Sequence, residues 1–334
     1  MARRFLPLDS LRGIAAAAVV IMHAQYLAKW PWITAHWAVM LFFVLSGFVL
    51  ARPWADGARP PVLPFLAKRL CRLWPPVVVA VILSAALTAA TEGRAAVDGS
   101  MITRCVLLSV RDGNCSLDGV LWSLTYEVRI SLIFPALVWV LNRYPLFTAV
   151  AGVCFGIGVE AFALFDGTIV SGQLLVDNIA QDVIATLHYM TLFAMGIALS
   201  VNVNKLAKLG PNQATTLIAP AIGLICVPSD ILRGCGAVLL IAAAIRSTGF
   251  SKALMHAPLP WLGRVSYSLY LIHVPIIAFA LKEIGTANAK TAVAVGVVAS
   301  LCIAEIVHRV VERPSISFGR WLAGLYRQRH SVVV

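Results

Sequence analysis

Long apolar runs separated by short polar breaks occupy most of this chain, and their lengths predict helices rather than strands. Ten runs approach the roughly 20 residues that cross a hydrocarbon core: approximately 11–30, 35–51, 73–91, 119–141, 146–165, 178–201, 213–229, 231–248, 264–282 and 290–311. Pro, Gly, Asn or Asp punctuates several of the breaks. The first run opens with Asp9 and Ser10 as candidate N-caps. It is too long for a signal-peptide core and is expected to be retained as a span. The predicted fold is all-α: a polytopic transmembrane helix bundle of about ten spans with no soluble domain. Residues 1–315 form the membrane domain and 316–334 a short cytoplasmic tail.

Composition agrees. Of the 334 residues 60% are hydrophobic and 13% charged, a balance that excludes a soluble globular domain. The net charge of +12 would suggest nucleic acid in a soluble protein. Here no nucleic-acid partner is expected, because the cations cluster in short loops as orientation signals. Arg3, Arg4, Arg12, Arg52, Arg59, Lys68, Arg69, Arg72, Arg143, Lys205, Lys208, Arg246, Lys252 and Arg264 fall on one side. With Arg309, Arg313, Arg320, Arg327 and Arg329 they make 19 of the 27 basic residues. Glu92, Asp98, Asp112, Asp118, Asp166, Asp177, Asp182, Asp230 and Glu283 fall on the other side. The positive-inside rule then puts both termini in the cytoplasm.

The seven cysteines include no CxxC pair, so no structural zinc site is expected from them. Cys105 and Cys115 share one outer loop, and Cys226 and Cys235 flank another; either pair could bridge in an oxidising compartment. Cys71, Cys154 and Cys302 read as small buried hydrophobes.

Ionisable groups inside spans are costly and are therefore the functional candidates. Arg12 and His23 are eleven positions apart, which at about 100° per residue returns to nearly the same azimuth, with an axial separation of about 16 Å. His23 lies about 18 Å above the inner edge and Glu127 about 12 Å below the outer edge at 1.5 Å per residue. In a core of about 30 Å these depths coincide, so the carboxylate is expected to orient the imidazole as a general base. Arg69 and Arg72, i and i+3 at the inner edge, can present two guanidinium forks to one phosphate, or act simply as topological anchors. His273 lies near mid-membrane with Tyr270 and Tyr267 before it. Ser46 and Gly47 allow close helix approach, and Ser46 is the one nucleophile to consider beside His23. Glu305 and Glu312, beside Arg309 and Arg313, read as a structural ion-pair cluster. Glu160 has no assigned place.

Seven stretches, LDSLRGIAAAAVVIMH, FFVLSGF, KRLCRLWP, WSLTYEVRISLIFP, HYMTLFAMGIAL, SYSLYLIHVP and VERP, follow one another across about residues 5–315. In this order they resemble the integral-membrane acyltransferase family three, whose members mostly O-acetylate glycans and lipid-linked sugars. The resemblance implies that His23 is the essential histidine and Arg12 its arginine partner. It implies that Arg69 and Arg72 hold acyl-coenzyme A and that Glu127 is the motif acid. Trp122, Ser46, Tyr270 and His273 are the expected acceptor contacts. The chain departs from the family at VRIS after Glu127, where Arg129 alters the acceptor surroundings. It is also too short for the esterase-like domain that many relatives carry.

The expected activity is a membrane O-acyltransferase of the bacterial cytoplasmic membrane, with acetyl-CoA as co-substrate and no permanently bound cofactor or metal. The acceptor is an exported or lipid-linked glycan, membrane lipids surround the bundle, and a homo-oligomer is compatible with it. The alternative is a transporter or flippase without acyl-transfer chemistry, against which stands the absence of a visible repeat.

Overall fold

The computed structural model describes residues 6–331 apart from 32–33, 59, 109–114, 116, 168, 171–172, 175 and 177. Arg3, Arg4, Arg59, Asp112 and Asp177 therefore lie outside the described residues. Lipid offers no partner for a free N–H or C=O, so a spanning chain must close its hydrogen bonds within helices. The helices are α1 (Leu6–Leu27), α2 (His36–Ala55), α3 (Val62–Glu92), α4 (Gly99–Val106), α5 (Leu121–Arg143), α6 (Pro145–Phe165) and α7 (Ile179–Val201). They continue as α8 (Pro211–Thr216), α9 (Ile218–Cys226), α10 (Asp230–Arg246), α11 (Thr248–Leu254), α12 (Leu259–Ile284), α13 (Ala289–Val307) and α14 (Arg313–Ser331). A two-residue hairpin, Ile169–Val170 with Gln173–Leu174, separates α6 from α7.

Each predicted run carries helix, and the fold is the expected all-α bundle, its span count approximate. Among the described residues seven helices are long and apolar enough to cross a membrane, or eight if the bent pair α10–α11 is one span. The seventh predicted run, 213–229, is broken into α8 and α9. Pro220 has no N–H to offer the carbonyl of Thr216, so the ladder cannot pass that point. The expected tail is helical as far as it is described: α14 runs to Ser331 and continues the preceding helix through a π turn at His308–Glu312. Pro314 leaves the Val310 carbonyl without its helical donor, which favours that shift in register.

The chain divides into two compact units. The first comprises Met1–Ala15, Thr34–Arg59 and Ile133–Arg264. Its centre is the packing of α2 against α7, where Phe48, Phe193, Leu45, Leu192 and Ile197 are almost fully buried. Glycines set the distance. A Cβ on Gly47 would collide with the Phe193 carbonyl, and one on Gly196 with the Val44 carbonyl. Gly13 and Gly263 likewise let the first turns of α1 and α12 touch, a Cβ on Gly13 falling 2.6 Å from the Gly263 nitrogen. Small residues at such crossings let dispersion operate between backbones, the main attraction left between helices in lipid.

The second unit comprises Ala16–Ile33, Pro60–Leu132 and Val265–Val334. Here α14 lies on the start of α3, and a Cβ on Gly319 would stand 2.8 Å from Cys71 Cβ. Lys282 at the end of α12 donates to Glu92 at the end of α3 at 2.9 Å. Cys105 and Cys115 form a disulfide with a Cα separation of 5.4 Å, whereas Cys226 and Cys235 are free. Cys154 and Cys302 are exposed and Cys71 half-buried. The expectation that all three are buried is therefore corrected: in a spanning helix an apolar side chain also faces lipid at no cost.

Gly196→Val should lower the thermal midpoint and the folded yield sharply, since overpacking costs about 1–3 kcal/mol even where side chains alone must yield, and here backbone must. Gly158→Ala, whose Cβ would meet nothing within 4 Å, should be neutral or stabilising. Equal midpoints for the two purified variants would contradict the α2–α7 contact.

Candidate active site

In the second unit, α1, α3, α5 and α12 bring most of the candidate residues together. His23 Nδ1 lies 3.0 Å from His273 Nε2. The other nitrogen of His273, Nδ1, is 3.0 Å from the Leu269 carbonyl and 2.9 Å from the Tyr270 carbonyl. Carbonyl oxygens only accept, so Nδ1 of His273 carries the proton. In the neutral pair its Nε2 is then an acceptor, and His23 Nδ1 donates to it. The lone pair of His23 consequently sits on Nε2. His273 is fully buried and His23 half-buried, so the inner ring holds the outer one in a single tautomer.

Glu127 does not hold His23 Nδ1, as the depth calculation suggested; that contact belongs to His273. Arg69 Nη2 donates to Glu127 Oε1 at 2.7 Å, while Arg69 Nε and Nη2 donate to Ser131 Oγ at 3.2 and 3.1 Å. Arg69, expected at the inner edge as a phosphate-holding or anchoring cation, is 8% exposed and turned to these partners. Removing either partner of such a pair leaves the other charge uncompensated and costs up to about 3–5 kcal/mol where both are buried. Arg72 is half-buried.

The misreading has a geometric cause. Ser123 Oγ and Tyr270 OH share a hydrogen bond of 2.8 Å. Further along α5, Glu127 is held by Arg69 of α3, and Leu73, one turn on from Arg69, accepts from Tyr267. Rising numbers on α5 thus match falling numbers on α12, and the two helices run antiparallel. Glu127 lies about 6 Å to one side of the Ser123–Tyr270 rung and His273 about 4.5 Å to the other, at 1.5 Å per residue. The polar groups form a ladder along α12: Tyr267 near the Arg69–Glu127 pair, Tyr270 at Ser123, and His273 at His23.

Around the ladder, Tyr267 OH donates to the Leu73 carbonyl at 2.8 Å. The π turn directs Glu312 inward to 3% exposure, where Ser268 donates at 2.8 Å and His308 at 2.9 Å. Of the expected ion-pair cluster, Glu305 pairs with Arg309, while Glu312 turns to Ser268 and His308. Trp122 is buried against the Tyr126 ring at 6.3 Å, and Arg129 stacks over Tyr126 at 5.7 Å. Arg12 and Ser46 belong to the first unit, Ser46 adjoining the Gly47 contact. Ser123 and Ser131 were not singled out in the sequence. The spacing of Ser123 and Glu127, one turn apart in the WSLTYE stretch, was the available signal.

Asp118, outside the spans, lies in the loop entering α5. Its charge acts on Tyr270. One carboxylate oxygen accepts from the Val120 N–H at 3.4 Å and the other is buried without a hydrogen-bond partner. Burial pushes its carboxyl well above the usual carboxylate range.

Residues 6–309 match a family model described as an acyltransferase domain. Among curated proteins, the chain is 26% identical to "Peptidoglycan O-acetyltransferase OatA" of Listeria monocytogenes, over 93% of this chain and 56% of the relative. It is 25% identical to "Acyltransferase MdmB" of Streptomyces mycarofaciens over 93% and 91% of the two chains. A shorter stretch, 25% of this chain, is 43% identical to "Protein 2 in picA locus" of Rhizobium radiobacter and spans 45% of it. The chain thus spans about half the length of the first two of these by similarity, OatA and the picA-locus protein. No solved structure matches.

The Asp118 environment predicts a pH effect on stability. An aspartate ionises near 3.9 when unfolded, and the folded state favours its neutral form. Stability should therefore fall as pH rises above about 4 toward the raised folded value. In Asp118→Asn that decline should flatten, as read from thermal midpoints between pH 4 and pH 8; parallel curves for the two proteins would refute the assignment.

Proposed function

The chain belongs to the acyltransferase domain family, and on that premise we propose that it is a membrane O-acetyltransferase acting on a glycan. The donor is acetyl-CoA from the cytoplasm, and the acceptor is a hydroxyl of an exported or lipid-linked sugar. The observation that carries this reading is the fixed tautomer of the His23–His273 pair, which leaves His23 Nε2 free to take a proton. Support for the glycan comes from the Listeria relative, which is named a peptidoglycan O-acetyltransferase. Membership of an acyltransferase family sets aside the transporter reading.

The reaction balances on one histidine. The acceptor hydroxyl gives its proton to His23 Nε2 as its oxygen bonds to the thioester carbonyl carbon. The tetrahedral intermediate collapses with loss of the carbon–sulfur bond, and the leaving thiolate takes the proton back from His23. His273, neutral and anchored by two carbonyls, accepts from His23 Nδ1 throughout and holds the ring in line. It plays the orienting part that a carboxylate plays in hydrolase triads. Arg72 is the cation of this unit assigned to the coenzyme phosphates, which charge-assisted bonds would hold. Arg69 and Glu127 fix α3 against α5 beneath the reacting groups. Trp122 and Tyr270 are the acceptor contacts assigned within this unit. The protein sits in the bacterial cytoplasmic membrane with both termini inside; the basic loops and the Cys105–Cys115 bridge on the opposite side support this placement.

Purified protein given acetyl-CoA and glycan extracted from the cell envelope should release coenzyme thiol and form an acetyl ester, followed by mass spectrometry. His23→Ala should reduce both by at least about 100-fold, the lower range for a lost general base, while retaining the fold. Thiol release by a folded His23→Ala protein at near the original rate would overturn the mechanism.

A further inference from the structure

A second cluster of ionisable side chains lies wholly within the first unit and takes no part in the transfer described above. It is drawn from four helices: His36 at the start of α2, Glu160 on α6, His188 on α7 and Asp230 at the start of α10. His188 is fully buried, and neither ring nitrogen has a hydrogen-bond partner. Its Nε2 faces Asp230 Oδ2 at 3.6 Å and Glu160 Oε1 at 3.7 Å. Both distances exceed a direct N–H···O bond of about 2.7–3.2 Å. They approach the separation of two ligands sharing one tetrahedral ion, about 3.4 Å for bonds of 2.0–2.1 Å. One ligand atom from each of Glu160, His188 and Asp230 lies within 4.8 Å of the others.

The surroundings hold these oxygens as an outer shell would. His36 Nε2 is 3.1 Å from Asp230 Oδ1, and Arg233 Nη1 is 3.3 Å from the same oxygen. The Ile231 N–H donates to Glu160 Oε1 at 2.9 Å, fixing that carboxylate by the first turn of α10. Gly156 permits the approach, since a Cβ there would collide with the Ile231 side chain. Charge points the same way. Two carboxylates come together in an apolar interior, and Arg233 lies beside Asp230 alone. The basic group near Glu160 is the unpartnered His188 ring. An unpaired buried carboxylate is expensive, and a divalent ion between the two would neutralise both.

We propose that Glu160, His188 and Asp230 bind one divalent transition-metal ion of the zinc class. One imidazole nitrogen and two carboxylate oxygens are a donor set suited to zinc, with His36 orienting Asp230 from outside. The ion ties α6, α7 and α10 together and leaves a fourth position for water.

The test uses tag-free full-length protein in detergent, stripped with EDTA and equilibrated with Zn2+ or Co2+. One Zn2+ per chain by elemental analysis, a visible Co2+ absorption band of a low-coordinate site, and a raised thermal midpoint on adding Zn2+ are expected. Glu160→Gln and His188→Asn should each weaken Zn2+ binding at least tenfold, and His36→Asn less. Should these variants fail to fold, the wild-type protein decides alone. A folded wild type with no stoichiometric Zn2+, no Co2+ band and no midpoint shift overturns the proposal. So does a folded Glu160→Gln, His188→Asn protein that binds Zn2+ as before. Since no readout is acyl transfer, failure here leaves the proposed activity untouched.

Discussion

The hydrogen bond between His23 Nδ1 and His273 Nε2, at 3.0 Å, depends on a feature of helix chemistry that no side-chain count reveals. A histidine inside a helix can turn Nδ1 back onto the carbonyls three and four residues earlier, and His273 does so to Tyr270 and Leu269. That choice fixes the proton on Nδ1 and makes Nε2 an acceptor, which in turn fixes the proton on His23. The lone pair on His23 Nε2 is thus set by backbone two hydrogen bonds removed from it. A neutral imidazole suits this place, because a carboxylate there would need its own buried counter-charge. The carboxylate of Glu127 is instead matched by Arg69.

Polar ladder and packing share one economy. Helices in lipid gain little from hydrophobic contact with each other, so shape and hydrogen bonds must hold them. In the first unit this appears as Gly47 and Gly196 pressed on α7 and α2 backbone. In the second it appears as Ser123 with Tyr270, Tyr267 with the Leu73 carbonyl, and Ser268 with Glu312. Each bond satisfies a polar group that lipid would leave bare, and each also fixes where an α12 side chain points.

Much of this was legible in the sequence, and the failures are instructive. Apolar run length located nearly every helix, since hydrocarbon permits little else. It could not foresee that Pro220 would divide the seventh run or that a π turn would join α13 to α14. His23, Glu127, Arg69 and His273 were all singled out because ionisable groups in a span demand a reason. Their pairing was misread because depth along a helix gives height and no azimuth. Two groups of equal estimated height proved to lie on different rungs, once Ser123 and Tyr270 fixed the register of α5 against α12. The Glu160, His188 and Asp230 cluster left no mark in the sequence, its members being scattered over three helices with no common spacing.

The central claim is that His23 and His273 act as one unit, the first exchanging the proton and the second holding its tautomer. A double-mutant cycle on the rate of acetyl transfer tests it most directly, using His23→Ala, His273→Ala and the pair, each checked for folding. Residues that act as a unit are strongly non-additive. The account predicts that the double substitution is no slower than His23→Ala alone. Losses that multiply independently, or a His273→Ala protein with the original rate, would contradict it.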